Sequence, residues 1–267
     1  MSRFGLSGRK ALVTGGAQGL GQGMAEALAT AGASVVVADL QDDLGELVAK
    51  GIEASGGTAS FVHLDVTDEA SWQAAIASTV EALGGLDVLV NNAGVEISSL
   101  VVDVEPTDIR TMLDVNVLGT LLGLKHGLRA MRPGGAAGTG GSIINISSVA
   151  ATIAFPGISG YSATKSAVDR LTRVAATESG KLGYGVRVNC IYPGLVPTAM
   201  GAQLAQDMAT LGLFPSAEEA AGAVVALTPA GRLGEVGDMA DAVVFLASEA
   251  SRFITGAGIP VDGGMGS

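Results

Sequence analysis

Tyr161 and Lys165 stand four residues apart in GYSATKSAVDRL, residues 160–171, at the head of an amphipathic pattern. A helix there puts phenol and ammonium one turn apart on one face, about 6 Å along the axis. A free phenol titrates near 10 and is a poor base at neutral pH. A cation within about 4–6 Å favours the phenolate and lowers that value by roughly 1 to 3. The spacing therefore predicts acid/base chemistry in which Tyr161 takes a proton from an alcohol or returns it to a ketone. A second group lies near the start, where TGGAQGLG, Thr14 to Gly21, follows an apolar run directly and opens a helical pattern. Glycines at 15, 19 and 21 permit positive φ and close backbone approach, and the free N–H groups at the helix start favour a pyrophosphate. The next apolar run ends at Asp39, 18 residues after Gly21. A carboxylate there accepts hydrogen bonds from adenosine ribose hydroxyls and repels a 2′-phosphate, which points to NAD.

The elements that must position these groups alternate from end to end. Candidate strands are Lys10 to Thr14, Ser34 to Asp39, Ala59 to Asp65, Asp87 to Asn91, Ser142 to Ser147, Val186 to Ile191 and Ile259 to Val261. SVVVAD, DVLVNN and SIINIS are continuous apolar runs, as strands covered on both faces are. Helical spacing covers Gly21 to Ala31, Glu69 to Leu83, Val117 to Met131, Tyr161 to Lys181 and Met239 to Ser248, with Asp68 and Glu69 supplying N-terminal cap chemistry for the second. The alternation predicts an α/β fold with a central parallel sheet. RPGGAAGTGGS, Arg132 to Ser142, reads as a surface loop and no linker divides the chain, so residues 1–267 form one expected domain.

Composition narrows the function. The 267 residues are 48% apolar and include 40 glycines, but only 4% are aromatic. Lysines and arginines number 15 against 26 acidic residues, for a net charge of −11. That charge, with no basic cluster, excludes nucleic acid and anionic membrane surfaces as expected partners. Cys190 is alone, so no intrachain disulfide is expected. His63 and His126 lack ligand spacing, and no metal site is expected. No apolar stretch reaches a membrane span, and the N-terminus lacks a secretory pattern, so the expected location is cytoplasmic.

In order and spacing these motifs resemble the short-chain dehydrogenase/reductase family, from about Gly8 to Gly264. The matching residues are TGxxxGxG at Thr14 to Gly21, Asp39, DV at Asp65 and Val66, NNAG at Asn91 to Gly94, Asn116 and ISS at Ile146 to Ser148. Tyr161 with Lys165, PG at Pro193 and Gly194 with Thr198 beyond, and VDGG at Val261 to Gly264 complete the series. The resemblance implies a Rossmann-type, three-layer α/β/α doubly wound sheet of about seven parallel strands. It implies a catalytic tetrad of Asn116, Ser148, Tyr161 and Lys165, with Ser148 chosen over Ser147 because the family's serine lies 13 residues before its tyrosine. Ser148 would hydrogen-bond the substrate oxygen, Lys165 would also hold the nicotinamide ribose, and Asn116 would seat a relay water. For the cofactor it implies Gly15, Gln18, Gly19, Leu20, Gly21, Asp39 and Leu40 at the first crossover, and Asp65 and Val66 beside the adenine. Asn92, Ala93 and Gly94 would line the adenosine side. Pro193, Gly194, Val196 and Thr198 would serve the nicotinamide end, with Tyr161 and Lys165.

Residues 198–236 correspond to the family's mobile substrate cover. Here Met200, Leu204, Met208, Leu211, Leu213 and Phe214 make it apolar, with no Lys or Arg before Arg232. GYGVRVNCIYPGLVPTAM and GGSIINISSVAA look most like members acting on cyclic secondary alcohols and hydroxysteroids. The expected substrate is thus a neutral, apolar alcohol/ketone pair. A 3-oxoacyl-carrier-protein reductase shares every motif, though its usual NADPH and acidic partner fit poorly with Asp39 and the net charge. A cofactor-sensing protein without turnover is a third reading. The family's habit implies a homotetramer, for which the tail GIPVDGGMGS suits packing against a neighbour.

Overall fold

In the computed structural model, residues 3–266 are described; Met1, Ser2 and Ser267 of the expected 1–267 unit lie outside them. The seven strands are β1 (Lys10–Thr14), β2 (Ser34–Asp39), β3 (Thr58–His63), β4 (Val88–Asn91), β5 (Gly141–Ile146), β6 (Val186–Pro193) and β7 (Gly258–Val261). They form one sheet in the order β3-β2-β1-β4-β5-β6-β7. Every pairing is parallel, with Thr14 beside Ala38 and Ile146 beside Ile191. All seven coincide with the expected apolar runs to within two residues at each end.

Strand side chains alternate between two cores, which is why the runs lack polar alternation. Ala11, Val13, Val35, Val37, Val88, Val90 and Ile144 pack on one face with α1 (Gly19–Thr30), α2 (Asp42–Ala54) and α9 (Val236–Ala247). Leu12, Val36, Leu89, Ile143 and Val188 pack on the other with α3 (Glu69–Leu83), α5 (Gly119–Met131) and α6 (Ser159–Lys181). Asp68 caps α3 by accepting from Ala70 and Ser71 N–H, and Gly84 ends it in the left-handed conformation.

Four helices were not expected from periodicity: α2, α4 (Pro106–Met112), α7 (Ala199–Thr210) and α8 (Ala217–Leu227). The last two lie in the cover segment. Thr198 and Ser216 cap them, accepting from Gly201 and Glu219 N–H. Their buried residues, Ala205, Met208 and Ala220, form a small core of their own with Ile158, under Leu211, Leu213 and Phe214. Between α4 and α5 the chain makes a π-helical segment, Leu113–Leu118, where Gly119 N–H donates to Asp114 C=O five residues back. The expected helix from Val117 therefore begins inside a bulge.

Candidate active site

The C-terminal ends of β1, β2, β4, β5 and β6 open into one cleft of about 640 Å³. Sheet order places β1 beside β4, where chain connectivity reverses, and ligands of doubly wound sheets bind at such a crevice. All the expected cofactor residues line this cleft except Gly21. Gly21 lies behind the turn: a Cβ there would stand 2.0 Å from Gly15 O and 2.5 Å from Asn92 Nδ2. Its need for glycine is packing rather than conformation, whereas Gly15 and Gly19 have φ of +62° and +57°. Asn92 bolts the turn through Nδ2 to Thr14 O and Gly15 O, each at 3.0 Å.

The first turn of α1 has no side-chain cap on its N–H groups, which leaves them for an anion. Asp39 accepts from Ala17 N–H and Gln41 N–H, both at 3.0 Å, so its carboxylate also ties the glycine turn to β2. Asp65 likewise accepts from the Thr67 N–H and hydroxyl. Val66 is held from behind, where its carbonyl accepts from Trp72 Nε1 at 3.0 Å and Gly119 leaves room for its side chain. Glycines that admit backbone, uncapped amides and a carboxylate at the end of β2 fit a dinucleotide.

Beyond this end, β5 and α6 deliver Ser148, Tyr161 and Lys165 to the same wall. The two adjacent serines separate by geometry. Ser147 donates to the Lys165 carbonyl at 2.8 Å and locks β5 to α6, while the Ser148 hydroxyl accepts from Ala150 N–H and also hydrogen-bonds with the Tyr161 phenol. Lys165 Nζ lies 5.5 Å from the Tyr161 ring centre and donates to Ile146 O at 2.9 Å.

The electrostatics correct the expected lowered phenol. Burial pushes Tyr161 up to about 12, opposed by the Ser148 hydrogen bond and reinforced by Glu96, and burial brings Lys165 down to about 8. Desolvation of both charged forms outweighs the mutual attraction that spacing alone suggested. Asn116 lies behind the cleft wall. It is buried in the π-helical segment and does not line the cleft. Its amide accepts from Val95 N–H and donates to Val95 O and the Thr164 hydroxyl. A side chain so engaged clamps the segment after β4.

The other half of the cleft is apolar. Of the six cover residues, Met200 and Leu204 line it, whereas Met208, Leu211, Leu213 and Phe214 pack in the cover's own core. Ile153, Phe155, Ile158 and Val224, which carry no motif, also line the cleft, as does Glu96, a lone acid two residues after NNAG; none of these was expected from the sequence. Met265 also lines the cleft, and Asp262 accepts from Gly264 and Gly266 N–H, which turns the chain there beside the site. No cluster of three metal-ligating residues exists among the described residues. His63 pairs with Asp42 at the surface and His126 lies beside Glu69.

This assembly defines a class of protein that similarity also identifies. Residues 15–266 match the family model described as Enoyl-(Acyl carrier protein) reductase. The trans-4-hydroxycyclohexanecarboxylate dehydrogenase of Sinomonas cyclohexanicum is 40% identical over 95% of this chain and 91% of its own. The 3-alpha-(or 20-beta)-hydroxysteroid dehydrogenase of Mycobacterium bovis is 40% identical over 97% and 90%. Among solved structures, a gluconate 5-dehydrogenase from Burkholderia cenocepacia, in complex with NADP and tartrate, superposes with a TM-score of 0.87 at 34% identity, covering 98% of this chain and 97% of that one. The chain belongs to the short-chain dehydrogenase/reductase family, whose dehydrogenases use a nicotinamide cofactor.

Proposed function

We propose that the protein is a single dinucleotide-binding and catalytic unit that transfers a hydride between NAD and an apolar secondary alcohol or ketone, cyclic or hydroxysteroid-like. The observation that carries this reading is the cleft itself. Ser148, Tyr161 and Lys165 stand between a glycine turn with a carboxylate at one end and an apolar chamber at the other. When bound, the cofactor supplies the hydride acceptor or donor. The rest is done by the chain. Ser148 and Tyr161 hydrogen-bond the substrate oxygen, Tyr161 Oη takes or returns its proton, and Lys165 balances the charge on the phenol. Pro193 to Thr198 hold the nicotinamide end. NAD is favoured over NADP because Asp39 stands where a 2′-phosphate would, with Gln18 and Leu40 offering no cation.

We also propose a cytoplasmic homotetramer. In support, Cys190 is buried, no described helix is long and apolar enough to cross a membrane, and large apolar side chains stand exposed on neighbouring helices. The test is an absorbance screen for NADH and NADPH formation over cyclic, aromatic, steroidal and short aliphatic secondary alcohols, with a 3-oxoacyl thioester assayed in reduction. NAD-linked oxidation of a cyclic or steroidal alcohol is expected. Efficient NADPH-dependent reduction of the thioester alone would make the protein an acyl-thioester reductase, and cofactor binding without any turnover would make it a sensor.

A further inference from the structure

The chamber that reads as apolar contains one charged group that the mechanism does not require. Glu96 follows β4 and lines the cleft with Ile153, Phe155, Ile158 and Leu204. Among the described residues, its hydrogen bond is the one that its Oε1 accepts from the Ser98 hydroxyl at 2.8 Å. The titratable groups that act on it electrostatically are Tyr161 on α6 and Asp207 on α7, and neither is a cation. Burial already holds its carboxyl above the usual range.

A wholly apolar substrate closing this chamber would strip the remaining water from that carboxyl and offer nothing in return, which is unfavourable. A substrate with a second O–H group would give it a donor. One bearing a carboxylate would meet Glu96, while the cation of the cleft, Lys165, stands at the reacting end beside Tyr161. We infer that Glu96 is a specificity-determining residue that accepts a hydrogen bond from a second, non-reacting hydroxyl of the substrate, selecting alicyclic diols over mono-alcohols and over hydroxycarboxylates. This rests on the secondary-alcohol reading above and refines it.

The test compares kcat/KM with NAD for cyclohexanol, the isomeric cyclohexanediols, trans-4-hydroxycyclohexanecarboxylate and trans-4-aminocyclohexanol, in the native protein, Glu96→Gln and Glu96→Ala. Because Glu96 also acts on Tyr161, its loss changes rates for every substrate, and the quantity to read is the ratio between substrates. The native protein should favour at least one diol over cyclohexanol by about tenfold or more, since a site built to hydrogen-bond a hydroxyl rejects the analogue lacking it. Its poorest substrate should be the carboxylate. Glu96→Ala should lower the diol ratio about tenfold. Glu96→Gln, which keeps an acceptor without charge, should retain more of that ratio while raising the carboxylate relative to cyclohexanol. NADH binding and melting temperature report whether the variants are folded. A native protein that oxidises cyclohexanol as well as every diol overturns the assignment by itself, as does a diol ratio that both folded variants leave within twofold. A clear preference for the amino alcohol also overturns it, in favour of a cation site. Failure to oxidise any of these alcohols would instead bring down the secondary-alcohol reading.

Discussion

At the residue scale, Tyr161 and Lys165 are best treated as one titrating unit. With the phenol raised to about 12 and the ammonium lowered to about 8, the first proton to leave the pair does so near 8. With those values the singly deprotonated pair is mainly phenol with amine. Oxidation needs that state to accept the alcohol's proton, so its rate should rise through about pH 8. Reduction needs the fully protonated pair and should fall through the same region, and the two profiles should cross there. Initial rates in both directions from about pH 6 to 10 check this, with a deuterium isotope effect on the transferred hydride showing that chemistry limits the rate. Lys165→Met at saturating NAD leaves only the buried phenol, and its oxidation rate should still be climbing at pH 10; an unchanged midpoint near 8 would assign the titration elsewhere. Tyr161→Phe keeps the ring and removes the proton carrier, and should lower kcat at least about 10²-fold with NAD binding retained. Asp39 supports a separate prediction. Its charge should give NAD at least about a tenfold advantage over NADP in kcat/KM, and Asp39→Asn should narrow that gap while keeping one backbone acceptor for Ala17 or Gln41. Equal efficiencies with the two cofactors in the native protein would remove Asp39 from the selection.

Elements hold these residues through buried polar contacts that no sequence pattern announces. Asn91 on β4 donates to Asn145 Oδ1 on β5, Asn145 donates to Thr172 on α6, and Thr172 donates to the Val168 carbonyl, each at 2.8 Å. Asn145 and Thr172 are fully buried, and Asn91 nearly so. This chain crosses two strands and pins α6, the helix that carries Tyr161 and Lys165, about two turns beyond Lys165. Asn145→Ala should therefore cost roughly 2–4 kcal/mol in urea unfolding, because it strands two buried partners as well as losing its own bonds; a loss under about 0.5 kcal/mol would show the chain to be unimportant. The strands and the helices α1, α3, α5, α6 and α9 were legible because each carries a long apolar run or stripe. The others were hidden for identifiable reasons. The buried residues of α2, Gly45, Val48, Ala49 and Ile52, are helically spaced but only two of the four side chains are large, and α4 has Met112 alone buried. In α7 and α8 the apolar residues serve a local core and the cleft at once, which blurs a single face. Ser148, Tyr161 and Lys165 could be picked out by family spacing and do meet at one cleft, but their ionisation was not legible. Burial from elements distant in sequence sets those values, and burial cannot be counted along a helix.

For the whole molecule, the feature that remains is a line of large apolar side chains facing outward. Leu113, Leu118 and Leu121 are 44%, 38% and 45% exposed, and Val174 on the adjacent α6 is 48% exposed. The intervals of five and three residues keep the three leucines near one side only because the π-helical segment widens the first turn. Covering the exposed part of such a side chain contributes about 1 kcal/mol, so these four, repeated by symmetry, favour association through the α5 and α6 faces. Opposing assembly is the charge of −11 on every chain. Repulsion of that kind is long-ranged at low salt and is screened within about 10 Å at 0.1 M. The homotetramer should therefore strengthen as salt is raised from about 10 to 150 mM, the reverse of an assembly held by ion pairs. Light scattering at micromolar concentration should give a four-chain mass for the native protein at the higher salt. Leu121→Glu and Val174→Glu, both surface changes that leave the sheet cores intact, should give smaller species with native circular dichroism. A native monomer under these conditions would overturn the tetramer, and a tetramer indifferent to both substitutions would move its interface to another face.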